Sequence, residues 1–381
     1  MTRLTKIAFI STNETVMWGG SEYCWSAAAE RLARRGAQVH VSVKDWGAPV
    51  EHVEHLRSMG CRIFPRRFPP PVPDRIKRRL LRTDYDRMHL RKIATGSDLL
   101  VIGQGGNNDG ISWMEAAGAE GLQYAVIAQS ANEQWWPHGD LAQRGMKGYS
   151  RARAAYFVSQ ANLDLTRFQY AIELSHGRVI CNPFNVRYDA NPSWRGGEEE
   201  ELSLGCVARL DTRQKAQDLL IQVLARPHWR DRKIRVTLAG GGFHQQALRA
   251  MIERLGVQNI EFGGFVDDIE SFWSRHHALI LPSRYEGMPL ALVEGMLCHR
   301  ACIVTDVASH RELVRDNING FLAKAPTVEL LDEALNRAWE NRHRLREMGE
   351  VAARDVRQWV SPDPTGDFVR ELELLVNGHK Q

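Results

Sequence analysis

The chain has no CxxC pair, and none of its six cysteines stands at a metal-ligand spacing. That argues against a zinc site or a disulfide framework and for free thiols in a reducing cytoplasm. Cys298 and Cys302, close together in one helical region, are expected to be packed rather than paired. Long apolar runs are missing too, and no segment approaches the length that crosses a bilayer. The opening MTRLTKIAFIST holds too short an apolar run for a secretory signal. Net charge is slight, +4 over 381 residues, so a global attraction for nucleic acid is absent. What remains is the composition of a globular protein, 43% hydrophobic and 25% charged. A chain of this length accommodates two domains, each with its own core.

Strand and helix signals alternate almost throughout, which predicts parallel sheets covered on both faces. KIAFIST (6–12) reads as a first strand, followed by the loop WGGSE (18–22) and a helix closed by Gly36. QVHVSVK (38–44), DLLVIG (98–103), YAVIAQ (124–129), AAYFVSQ (154–160) and RVICNPF (178–184) continue the strand series. The acidic run GGEEEE (196–201) is expected in a solvated connection between the domains, and a second βα series starts at Leu202. SPDP (361–364) breaks structure ahead of an amphipathic helix reaching about Val376. The domains are therefore placed at 1–184 and 185–360, with a closing helical stretch at 361–381.

The stretch SRYEGMPLALVEGM (283–296) carries the most chemistry. The apolar HHALILP (276–282) before it predicts a buried strand. LALVEGML after Pro289 predicts a helix, since proline near a helix start loses no needed N–H. A loop between such a strand and helix lies at the carboxyl edge of a parallel sheet, where ligands bind. Glu286 is then in the loop, and Glu294 about two turns into the helix. Two carboxylates so placed accept hydrogen bonds from hydroxyls at two ends of a polyol, and the helix start between them favours a phosphate.

Around it stand VARLDTRQKAQDLLI (207–221), VTLAGGG (236–242), IEFGGFV (260–266) and TDVASHRELVRDNINGFLA (305–323). Their order and spacing resemble the retaining nucleotide-sugar glycosyltransferases of glycosyltransferase family four. The resemblance covers about residues 178–323, with WGGSE adding support near the start. It implies an α/β GT-B fold, two Rossmann-like domains facing across a cleft, with the last helix packing back on the first domain. It also implies a nucleotide-diphosphate sugar donor held by the second domain, and a glycan or lipid-linked acceptor bound by the first, without metal or other cofactor. Arg209 and Lys215 match the cations that neutralise the donor pyrophosphate and its leaving charge. Glu286 matches the acid at the transferred sugar and Glu294 the acid at the ribose. Gly287, Met288, Pro289 and Leu290 surround sugar and phosphate, although proline offers no N–H. Gly264 joins the donor set, and Gly19 and Gly20 match first-domain glycines that let backbone approach a phosphate. The implied activity is transfer of a hexose in cell-surface polysaccharide or glycoconjugate synthesis. A phosphorylase-like or donor-hydrolysing enzyme, or a non-catalytic nucleotide-sugar-binding protein, are the alternatives on the same fold.

Two departures stand out. Where the family carries a first-domain His at the donor sugar, this chain has Gln129 or Asn132, with His138 displaced along the loop, where a surface role is as fitting. Trp135 and Trp136 beside them either stack on sugar rings or pack. In GMLCHRAC (295–302), His299 and Ala301 replace a usual Gly and Pro, which alters a turn rather than the chemistry.

Asp84 and Asp86 in DYD fit a metal-binding pattern, but their basic, helical surroundings speak against it. That basic stretch, residues 62–92, includes PRRFPPPVPDR, read as a break in regular structure, and then Arg75, Lys77, Arg78, Arg79 and Arg82 beside Ile76, Leu80 and Leu81. It either meets an anionic membrane surface or acceptor, on the inner face of the cell membrane, or forms a solvated excursion.

Overall fold

The computed structural model describes residues 5–67 and 75–378, with side chains from Tyr85 onward in the second stretch. Seven strands form one sheet: β1 Lys6–Ser11, β2 Gln38–Lys44, β3 Arg62–Arg66, β4 Leu99–Gln104, β5 Tyr124–Ala128, β6 Ala154–Phe157 and β7 Gly177–Val179. Their order is β3-β2-β1-β4-β5-β6-β7. Six more form a second: β8 Leu202–Val207, β9 Ile234–Ala239, β10 Ile260–Gly264, β11 Ala278–Leu281, β12 Ala301–Thr305 and β13 Gly320–Ala323. Here the order is β10-β9-β8-β11-β12-β13. Both ladders are parallel. Central strands such as LLVIGQ and ALIL are buried at every position, as expected where helices cover both faces. In each sheet the order reverses next to the first strand, at β1/β4 and at β8/β11. Such switch points open a crevice at the carboxyl ends of the two strands.

The chain divides into two compact units, Met1–Pro183 with Asp363–Gln381, and Phe184–Pro362. In the first, the closing helix Pro364–Asn377 lies on the helix Tyr23–Arg34. Phe368, Val369, Leu372 and Val376 share a core with Trp25, Ala28, Ala29 and Leu32. Each large apolar side chain so buried contributes roughly 1.5–3 kcal/mol. Asp363 caps the helix by accepting from the Gly366 N–H at 3.0 Å, and Arg35 pairs with Glu373 at 3.1 Å.

Several expectations are corrected. The acidic run 196–201 is inside the second unit, where Glu198 accepts from Trp194 Nε1 at 3.3 Å and Glu201 pairs with Arg195 at 2.8 Å. PRRF does not break structure at once, because β3 runs through Pro65 on an edge strand, where a missing N–H is tolerated. Cys298 follows the helix Leu290–Leu297 while Cys302 is on β12, so the two occupy different elements, and all six thiols are free. Glu294 is the fifth residue of its helix, little more than one turn in. His299 keeps the turn that glycine would suit, at φ 60°.

The basic stretch continues as a helix, Arg75–Ala94, whose far end is core: Leu90, Ile93 and Ala94 are fully buried. A wholly solvated excursion is therefore excluded for that end. Asp86 is also fully buried, acting electrostatically on the buried Arg66, which takes it out of reach of a solvent-borne metal. Asp84, Arg75, Lys77, Arg78, Arg79 and Arg82 have side chains outside the described residues.

Candidate functional site

In the second unit the donor-type residues converge on the β8/β11 switch point. After β8 the chain turns into a short helix, Thr212–Lys215, capped by Asp211, which accepts from the Arg213 N–H at 3.2 Å. Ala216 in the left-handed region then redirects the chain into the helix Gln217–Leu224. That turn aims Lys215 at the loop following β11. Its Nζ is 2.6 Å from Glu286 Oε1 and 2.8 Å from Oε2. Glu286 is 2% exposed and also accepts from Ser283 Oγ at 2.6 Å. Arg284 ties the two loops together with a bidentate pair to Asp218 at 2.8 and 2.7 Å. Ser283, Arg284 and Asp218 were not singled out from the sequence.

Arg209 is half-exposed; it donates to Gln214 Oε1 at 3.0 Å and lies 3.5 Å from Asp211. The exposed Phe243, from the loop after β9, has Arg209 at 5.9 Å and Arg213 at 5.7 Å from its ring centre. That loop passes close beneath: a Cβ on Gly240, at φ 129°, would be 2.3 Å from the Ala208 carbonyl oxygen. Gly264 closes β10 at the sheet edge with φ 69° and open space where a side chain would go, and its carbonyl accepts from the Gly240 N–H at 2.6 Å.

Glu286, Gly287, Met288 and Pro289 form a buried loop, half-buried Leu290 begins the helix Leu290–Leu297, and Glu294 projects from it at 3% exposure. Glu294 Oε1 accepts two bonds from Asn185, from its backbone N and from Nδ2, both at 2.9 Å. Burial nonetheless raises its carboxyl above the usual range, outweighing both bonds. Asn185 was missed because a lone Asn after the first domain carries no local pattern.

In the first unit, Gly19 and Gly20 follow β1 at that sheet's switch point, and a Cβ on Gly20 would meet nothing within 4 Å. Next to them Glu22 is buried, accepting from Ser21 Oγ at 3.0 Å and Trp25 Nε1 at 3.2 Å; burial raises its pKa. Arg66 spans the same strand ends, donating to Ser42 O at 2.8 Å, Ser42 Oγ at 2.9 Å and the Ser11 carbonyl. Gln129 is committed to Asn182 through reciprocal amide bonds of 3.0 and 2.8 Å. Asn132 is buried, and its Oδ1 accepts from the Gln134 N–H at 2.8 Å. Trp135 lies on Gly106, whose Cβ would approach the indole at 3.0 Å. Trp136, 49% exposed, meets Phe168 edge-on at 5.5 Å, and His138 is exposed beyond it. No group of three or more His, Cys, Asp or Glu suited to a metal occurs among the described residues.

Two parallel-sheet units, each with the Rossmann strand order and its loops gathered at a switch point, define a GT-B fold. Solved structures agree. HepE of Anabaena, crystallised with UDP, superposes with a TM-score of 0.73 at 19% identity, covering 97% of this chain and 99% of that one. Sucrose-phosphate synthase of Thermosynechococcus elongatus does so with 0.73 at 17% identity, over 97% and 99%. Residues 201–341 match the family model described as glycosyl transferases group 1. EpsD of Bacillus subtilis, assigned as a glycosyltransferase, is 28% identical over 156 residues, 41% of either chain. WclY of Escherichia coli, an O-antigen biosynthesis glycosyltransferase, is 28% identical over 145 residues, 38% of this chain and 39% of its own. The chain thus matches about two fifths of the length of these curated relatives. It is related to GT-B glycosyltransferases, most clearly through its second unit.

Proposed function

We propose that the protein is a retaining, metal-independent glycosyltransferase of the family-four type. It moves a sugar from a nucleoside-diphosphate sugar to a hydroxyl of a glycan or lipid-linked acceptor. The observation that carries this is the set Arg209, Lys215, Glu286 and Glu294 on the segments that follow β8 and β11 at one switch point, with Lys215 paired to Glu286. Arg209 and Lys215 stabilise charge growing on the departing diphosphate. Glu294 accepts from ribose hydroxyls and Glu286 from hydroxyls of the transferred sugar. The acceptor oxygen bonds to the anomeric carbon on the face the diphosphate leaves, and its proton passes to the released phosphate oxygen. UDP is the first nucleotide to try, because relatives of this fold are known with it bound. Lys215 and Glu286 hold each other at 2.6 Å, so the pair presents a cation and a carboxylate to the donor together. The first unit takes the acceptor, and Arg75, Lys77, Arg78, Arg79 and Arg82 meet an anionic membrane surface or a phosphorylated acceptor; no helix among the described residues is long and apolar enough to cross a membrane.

A panel of UDP- and GDP-sugars, scored for nucleotide release with lipid-linked acceptors, tests the reading. A second reading, nucleotide-sugar binding without transfer, gains from the pairing of Gln129 with Asn182, which takes one N–H and one oxygen lone pair of the amide standing where the family carries a His. Binding without turnover across the panel would select it.

A further inference from the structure

The Glu286 carboxylate is the end of a buried hydrogen-bond chain that starts at His310, in the short helix His310–Leu313 after β12. Ser283 Oγ donates to Glu286 Oε1 at 2.6 Å. The Ser283 carbonyl accepts from Thr305 Oγ1, at the end of β12, at 2.5 Å. The Thr305 carbonyl is in turn 2.8 Å from His310 Nδ1. A carbonyl only accepts, so Nδ1 carries the proton, and in the neutral ring Nε2 is a bare lone pair. His310 is fully buried, and Nε2 has no hydrogen-bond partner among the described residues. A leucine would fill that space without leaving a buried acceptor unpaired, which is costly. The ring also lies within electrostatic reach of both members of the ion pair. Glu286 and Asp306 favour its charged form, Lys215 opposes it, and burial outweighs them to hold its pKa below the usual histidine value.

We propose that His310 is a positioning residue for the Lys215–Glu286 pair, holding Glu286 through Thr305 and Ser283. The inference rests on the donor-site reading above. The ring has to stay neutral. A protonated imidazole would compete with Lys215 for Glu286 and repel the ammonium that meets the diphosphate. The site is therefore acid-sensitive through a residue that itself touches no donor.

The experiment compares wild type with His310→Asn and His310→Leu, using UDP-glucose as probe because its diphosphate ester does not titrate in the relevant range. Asn reproduces the Nδ1 donor to Thr305, whereas Leu keeps bulk alone. At pH 7.5, His310→Leu is expected to weaken binding about tenfold and His310→Asn about twofold or less, as loss or retention of one hydrogen bond would give. Wild-type affinity should fall as pH drops through a value below 6.5, the ordinary histidine value, and that limb should be shallower in His310→Asn, where Glu294, its carboxyl raised by burial, is left to titrate at the donor site. Equal affinities of all three proteins, or an acid limb in His310→Asn as steep as that of the wild type, overturn the proposal. Should His310→Leu fail to fold, the pH comparison with His310→Asn decides alone. Imidazole nitrogen spectra of the wild type give a ligand-free arm: the Nδ1-protonated tautomer supports the proposal, and the Nε2-protonated one ends it. If wild type ignores UDP-glucose, the donor reading fails, while the tautomer still decides the role of His310.

Discussion

Asn185 reaches Glu294 twice, its backbone N and its Nδ2 each 2.9 Å from the same carboxylate oxygen, across 109 residues of sequence. A residue at the start of the second unit thus orients an acid on the helix Leu290–Leu297. Both bonds fall on Oε1, so the carboxylate is held in one direction by one of its two oxygens.

Replacing Glu294 by Ala should weaken UDP binding by roughly 1.5–3 kcal/mol, the range for losing a charged acceptor. Titration calorimetry reads this directly. An unchanged affinity would remove Glu294 from the ribose.

Glu294→Gln should do the opposite to the empty protein. Burial raises the folded-state pKa of Glu294 above its unfolded value of 4.5. Such an acid favours folding when protonated, and that advantage is lost as pH rises through the folded pKa. At pH 7 the glutamine, still able to accept from Asn185, should therefore raise the melting temperature by about 2–4 °C for each kcal/mol recovered. The gain should vanish below about pH 4, where both states of Glu294 are protonated. Thermal scans across that range are the check, and a variant less stable than wild type at pH 7 contradicts it.

Arg209→Ala or Lys215→Ala should cut turnover on the order of a hundredfold or more, because the departing diphosphate loses a fixed cation. Lys215→Ala should also destabilise the protein, since Glu286, only 2% exposed, would be left without its cation. Wild-type activity should persist after chelator treatment. Strict dependence on a divalent metal would overturn the metal-independent mechanism.

Replacing Arg75, Lys77, Arg78, Arg79 and Arg82 together by Gln should abolish any preference for anionic over neutral vesicles while leaving UDP binding intact. Co-sedimentation at rising salt is the measurement, because exposed charges are screened over about 10 Å at 0.1 M. Equal partitioning of the wild type to both vesicle types would dismiss a membrane role for this stretch.

The sheets were legible because buried parallel strands leave continuous apolar runs, as KIAFIS, LLVIGQ and ALIL do. β3 escaped because an edge strand needs few apolar residues and tolerates Pro65. Arg209, Lys215, Glu286 and Glu294 were visible because strand, loop and helix order confines them to one sheet edge. The partners that set their directions were not. Asn185, Thr305 and His310 are linked to the acids only by tertiary contacts, and Ser283, three residues before Glu286, like them has no periodic or compositional signature. The contact of Trp135 with Gly106 is likewise tertiary, and no local pattern signals it.

The helix Pro364–Asn377 belongs to the first unit although the chain reaches it only after finishing the second. The backbone accordingly passes between the units twice, at Pro183–Phe184 and at Pro362–Asp363. A gene fragment covering residues 184–362 would encode the second unit as one uninterrupted piece. No simple truncation yields the first, because stopping before residue 363 strips the cover from Trp25 and Ala28. Its minimal form is a fusion of residue 183 to residue 363, and a nick at either passage would leave the closing helix clasped by packing and ion pairs such as Arg35–Glu373.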